Sequence, residues 1–115
     1  MGITGDCERV RETRSIVRSP EGGVWCGTVV NVDGRTVKLK NARMIWHWKG
    51  AAGLAELATD GTVCPEHKDN LFTVVVPEVT IFNVALVIPV TQRAGETINA
   101  VPVWTSRDNT RGGEV

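Results

Sequence analysis

The segment "TVVNVDGRTVKLK", Thr28 to Lys40, decides the fold. β-Branched residues crowd both flanks, and Asp33-Gly34 stands between them. Asp-Gly between strand-like runs is a strong hairpin signal, because both central residues of a type I′ turn need positive φ. Beyond the turn, Val37 and Leu39 alternate with Lys38 and Lys40, so this strand has one dry face and one wet face.

Working outward, "VWCGTVVNV" (Val24 to Val32) reads as the strand before the turn. "PEGG" (Pro20 to Gly23) is a turn, and "RSIVRS" (Arg14 to Ser19) is a first strand. On the other side, "ARMIWHWK" (Ala42 to Lys49) continues the hairpin strand after Asn41. The period then changes. Ala51, Leu54, Ala55 and Ala58 fall at the spacing of a short helix, which Gly61 is placed to end. Gly53 weakens that helix by roughly 1 kcal/mol relative to Ala. "TVCPEHKDN" (Thr62 to Asn70) is a loop. "LFTVVVP" (Leu71 to Pro77) and "NVALVIPVT" (Asn83 to Thr91) are two apolar strand candidates joined by "EVTIF". Thr91 is placed to cap a second short helix, "QRAGETINA", and "VPVW" returns as an extended piece. The expected architecture is α+β, mostly β: a small antiparallel sheet or partly closed barrel of about six short strands, with one or two short helices. Residues 14–104 would form a single globular domain, with an N-terminal arm at 1–13 and a disordered tail at 105–115.

A chain of 115 residues is one domain by length. Its hydrophobic content of 42% and charged content of 23% are ordinary for a soluble globular protein. No apolar run approaches the ~20 residues needed to cross a bilayer. "MGITGDCERVRETR" has no apolar core of a secretory signal, and Asp6 stands where myristoylation wants Ser or Thr. Three cysteines, Cys7, Cys26 and Cys64, form no framework spacing and suit a reducing compartment. Net charge is zero, yet residues 1–49 hold nine Lys/Arg against five Asp/Glu, and the rest hold four against eight. Folding can cancel this asymmetry, or the first half can offer a local basic surface.

Enzymatic signatures are missing. There is no GxSxG, HExxH or GxxxxGK. Cys64 and His67 have C-x-x-H spacing, and Cys26 with His47 could complete a zinc set, but nothing local pairs those two. Cys64 as a nucleophile beside His67 is equally loose. Glu56 and Asp60 share a helix face that reads as solvated, and tyrosine is absent. The chain is expected to be non-enzymatic, with no cofactor and no metal.

The chemistry concentrates in "KNARMIWHWKG", Lys40 to Gly50, which holds two of the four tryptophans, one of the two histidines and three cations. Strand alternation puts Met44, Trp46 and Trp48 on one face and Arg43, Ile45, His47 and Lys49 on the other. The plain reading makes the Met-Trp-Trp row core and the cationic row solvent. The functional reading leaves an indole partly uncovered, to stack on a base or to anchor a subunit interface while cations pair with phosphates.

The block "LKNARMIWHWKGAA", with "RSPEGGVW" before it and "VIPVT" and "VPVW" after it, resembles a family of small phage-encoded proteins known only as a domain of unknown function. The matching positions are Arg18, Gly23, Val24, Leu39, Asn41, Ala42, Arg43, Trp46, Trp48, Gly50 and Ala51, within roughly residues 16–104. An aromatic is more usual where His47 stands. The resemblance implies a phage gene expressed in the host bacterial cytoplasm. On that basis the expected function is sequestration of a nucleotide-derived host immune signal, of the cyclic ADP-ribose or cyclic dinucleotide type, by a homo-oligomer. Arg18, Arg43 and Lys49 would pair with phosphates, Trp46 or Trp48 would stack on the base, and Asn41 and His47 would complete the site. Alternation sets Arg43 and Lys49 away from the indoles, so the site would need a bulge, a strand end or a second subunit. The competing expectation is a virion component or an inhibitor of a host protein. A nucleic-acid partner is not expected at zero net charge, and neither is a membrane.

Overall fold

The computed structural model describes residues 14–105. The expected arm at 1–13 and all of the expected tail except Thr105 lie outside the described residues. Six strands and two helices follow in chain order: β1 (Arg14–Ser19), β2 (Gly23–Asp33), β3 (Thr36–His47), α1 (Leu54–Thr59), β4 (Leu71–Phe72), β5 (Val76–Ile81), β6 (Leu86–Pro89) and α2 (Gln92–Ala100). The sheet is antiparallel and open, in the order β4-β3-β2-β1-β6, with β5 also on β3. β5 lies along Val37 to Ala42 and β4 along Ile45 to His47, so both use the same edge of β3.

The chain passes from β5 on one edge to β6 on the other through residues 82–85, and so short a link requires a strongly curled sheet. The link is tied at both sides. Val84 N donates to Arg35 O at 2.8 Å, and Ala85 N donates to Arg18 O at 2.8 Å. Successive residues of a strand face opposite ways, and β1 shows the result. Ile16 enters a core shared with both helices, Cys26, Ile45 and Phe72, while Val17 enters a second core with Val37, Leu39, Ala42, Ile81 and Val84. Helices cover the first core. The second lies on the sheet's other face.

The hairpin differs from expectation by one residue. Asp33 pairs with Thr36, so the two-residue loop is Gly34-Arg35, and only Gly34 takes positive φ, at 61°. Glycine in the first central position with an ordinary second residue is the type II′ solution. Three irregularities then break the ladder. β2 carries an extra residue at Val30, and β3 carries one at Asn41, between the pairs Thr28↔Lys40 and Cys26↔Arg43. β3 carries another at Trp46, between Ile45↔Phe72 and His47↔Leu71. Asn41 sits at φ 52°, a region that Asn tolerates better than most residues. Opposite it, a Cβ on Gly27 would lie 2.7 Å from the Ala42 Cβ, so the strands close only over a glycine.

The helices follow the sequence closely. α1 starts after Gly53 and buries Leu57 and Ala58, whereas Ala55, expected in the stripe, is exposed. Gly61, at φ 80°, ends it by donating to the carbonyls of Glu56 and Leu57. Thr91 caps α2 as expected, its hydroxyl accepting from Ala94 N at 3.1 Å, and it also donates to Thr59 O at 2.7 Å. Between the helices, the expected strand Leu71 to Pro77 fails. The ladder stops at Phe72, and the strand that pairs with β3 is "VPEVTI", most of which sequence reading assigned to a connector. Pro77 is admissible there because, among the described residues, β5 pairs on one edge only.

Candidate functional site

The Asn41 bulge sets Arg43 and Ile45 on the sheet face opposite Val37 and Leu39. Arg43 and Ile45 turn into the helix-covered core at 3% and 2% exposure, while Trp46 stands 62% exposed. The expectation of a Met-Trp-Trp core row and a solvated cationic row is therefore corrected. The alternation of Arg43 and Ile45 against Met44 and Trp46 holds, but the buried face is the Arg43-Ile45 one, turned under the helices by the residue inserted at Asn41.

Arg43 is held without a carboxylate. Its Nε donates to Thr73 O at 3.0 Å, Nη1 donates to Ile98 O at 3.2 Å and Val101 O at 2.9 Å, and Nη2 donates to Phe72 O at 3.2 Å and Pro102 O at 3.4 Å. The guanidinium also lies over the Phe72 ring, 5.3 Å from its centroid. A guanidinium has five N–H donors, and all five are engaged. Burial pushes its pKa down, Cys26 works against that shift, and Arg14 adds to it. The carbonyls of Ile98 and Val101 belong to the end of α2, so the cation also caps that helix. As a phosphate-pairing residue Arg43 has no donor left to offer.

The other expected site residues are dispersed. Arg18 is exposed on β1 between Val24 and Leu86, two strands away from β3. Asn41 is exposed at the bulge and gives its carbonyl to Arg14 Nη2 at 3.2 Å. Trp48 is half-buried against the helix-covered core, its indole N–H donating to Ala51 O at 3.3 Å. His47 and Lys49 are exposed and do meet, at the 64–70 loop. His47 Nδ1 lies 3.0 Å from Asp69 O, and Lys49 N donates to Asn70 Oδ1 at 2.7 Å. Desolvation works to raise the Asp69 pKa, but Lys68, His67 and Lys49 outweigh it and hold the carboxyl below its usual range. His67 Nδ1 accepts from Asp69 N at 3.0 Å. Cys64 and His67 share this loop, but among the described residues no three His, Cys, Asp or Glu groups converge as metal ligands.

Trp46 alone of the four tryptophans is mostly exposed. Val74 and Val75, at 49% and 52%, are exposed where the chain leaves Met44, whose carbonyl accepts from Thr73 N at 3.0 Å. A groove of about 350 Å³ opens on the sheet face away from the helices, between the β1-β2 turn and the end of β5. Trp25, Val79, Ile81 and Phe82 line it, with Glu21 and Asn83 at its rim. Its walls are fixed by Ser19, whose Oγ donates to Phe82 O at 2.8 Å and accepts from Gly22 N at 3.1 Å.

Residues 12–98 match the family model described as Domain of unknown function (DUF6948). The chain belongs to this family. No curated protein and no solved structure is significantly similar to it.

In this DUF6948 member, sequence reasoning missed Glu21, Trp25, Phe82 and Asn83 as neighbours, because they come from two turns 60 residues apart in the chain. One signal pointed that way. Asn83 ends the apolar run of β5, and it takes positive φ, 57°, as asparagine most readily does outside glycine.

Proposed function

We propose that this chain is a non-enzymatic protein-interaction module of phage origin. It acts as a homo-oligomer in the host bacterial cytoplasm, as a virion component or as an inhibitor of a host protein. The observation that carries this is Trp46, lifted out by a bulge to 62% exposure, with Val74 and Val75 exposed on the neighbouring segment. Bulges re-aim side chains, and an exposed tryptophan is the kind of residue enriched among interface hot spots. The test is sedimentation velocity across concentration. The parent should sediment as a dimer or larger, and Trp46→Ala as a monomer with unchanged thermal stability. A parent that stays monomeric throughout would sink the reading. Mass spectrometry of purified virions then separates a particle component from a free inhibitor.

A second reading has its own support. His47, Lys49, His67 and Lys68 gather around Asp69, and the exposed Trp46 precedes His47 in the chain. A cationic group beside an aromatic face suits a nucleotide-derived host signal, sequestered by stacking and phosphate pairing. It stands second because Arg43, the donor best suited to phosphate, is fully engaged in the interior. Calorimetric titration with cyclic ADP-ribose isomers and cyclic dinucleotides tests it, and no heat with any of them ends it.

A further inference from the structure

The groove under Trp25 has a chemistry that neither reading uses. Its floor is apolar and aromatic, and among the described residues Glu21 is the only charged side chain that lines it. The Glu21 carboxylate is aimed by Asn83, whose Nδ2 lies 3.1 Å and 3.3 Å from its two oxygens. That single amide leaves most of the carboxylate's acceptor capacity open. Asn83 itself takes an unfavourable positive φ, and the link that carries it is anchored through Ser19 and the Phe82 carbonyl. The Trp25 indole N–H is already spent on Gly22 O at 2.8 Å, so the ring offers the groove a face and no free donor. Phe82, 67% exposed, supplies a second aromatic surface at the mouth.

We infer that this groove takes an arginine side chain presented by a partner protein. A guanidinium is planar, stacks on aromatic faces, and pairs bidentately with a carboxylate through a fixed fork of donors. Its aliphatic stem would lie along Val79 and Ile81. The groove of about 350 Å³ admits one such side chain. An anionic ligand is repelled by Glu21, so this site is chemically distinct from a phosphate site. Lysine shares the charge but lacks the plane and the fork, and a neutral apolar group offers the carboxylate no partner.

The test is NMR titration of isotopically labelled protein with Nα-acetyl-arginine methylamide and with its lysine and citrulline counterparts. The arginine probe should shift the Trp25 indole, the Phe82 ring and the Glu21 carboxylate carbon together. The lysine probe should bind more weakly, and citrulline, of the same shape without the charge, about tenfold more weakly. Glu21→Gln should cost the arginine probe about the same factor, and Phe82→Ala should weaken both cationic probes. Trp46→Ala should leave the titration unchanged, so failure here and failure of the Trp46 interface register separately. Citrulline binding as tightly as arginine, an unaltered Glu21→Gln variant, or no shift at these three residues by about 20 mM probe, a weaker limit than any stacked charged pair should reach, would each overturn the assignment.

Discussion

Replacing Arg43 with methionine keeps an apolar stem of similar reach and deletes every donor of the cage. Five carbonyls lose a partner: Phe72, Thr73, Ile98, Val101 and Pro102. Two of them keep another, because Phe72 O also accepts from Trp104 N at 2.9 Å and Ile98 O from Val101 N at 3.2 Å. The loss therefore falls on Thr73, Val101 and Pro102, of which Val101 is buried, Thr73 half-buried and Pro102 exposed. A buried acceptor left unpaired costs about 1–3 kcal/mol. Against this, the variant no longer has to desolvate a guanidinium, which itself costs several kcal/mol. The net expectation is about 3–5 kcal/mol of destabilisation, the usual result of breaking a buried charged network from one side. For a domain of this size each 1 kcal/mol lowers Tm by roughly 4–8 °C. The midpoint should fall by more than about 10 °C, measured by circular dichroism, with urea unfolding followed by tryptophan fluorescence as a check. Arg43→Lys should fall between parent and methionine, since an ammonium reaches at most three acceptors from one point. A methionine variant within about 1 kcal/mol of the parent would refute the cage as a main support of the fold.

Thr91→Ala should cost about 1 kcal/mol or slightly more in urea unfolding, because one hydroxyl both caps α2 and holds the end of α1. Asn41→Gly should be neutral to mildly stabilising and Asn41→Val destabilising by about 1–2 kcal/mol, since φ 52° suits glycine and penalises a β-branched side chain; equal stabilities would argue against the bulge. Burial raises the Cys26 thiol pKa, with Arg14 and Arg43 pulling weakly the other way. The folded state therefore holds this proton more tightly, so its contribution is complete below the ordinary thiol pKa and is lost as pH rises through the raised folded value. Urea midpoints should decline above pH 9 more steeply for the parent than for Cys26→Ala, and parallel pH profiles would contradict this.

The strands β1 to β3 and both helix ends were legible because each rests on local chemistry: Gly34 in a turn, Gly61 at a helix end, Thr91 at a helix start. Register was less legible. The hairpin slipped by one residue because Gly34 alone can supply the required φ, with Arg35 as the ordinary second position. The candidate site went wrong at Asn41. Nothing in a period-two pattern reveals where an extra residue will be inserted, and the insertion moves Arg43 and Ile45 from the Val37-Leu39 face to the helix-covered one. The segment 71–82 misled for a different reason. "TVVV" has the composition of a strand, but Thr73 spends its carbonyl on Arg43 and its hydroxyl on Met44 N, which withdraws it from the ladder. That competition is between residues some 30 positions apart, beyond the reach of local propensity.

The cage around Arg43 also bears on where this domain stops. The matched family span closes at residue 98, yet two of the five carbonyls, from Val101 and Pro102, come after it. So does Val103, which bridges to Phe72. A fragment cut at the family boundary would keep the charge and lose part of its shell, leaving a cation in the interior with fewer acceptors than donors. Expression trials that run through Trp104 should yield a folded protein where those ending at residue 98 do not. For this fold, the working boundary is set by what one arginine in the third strand needs from the residues just after α2.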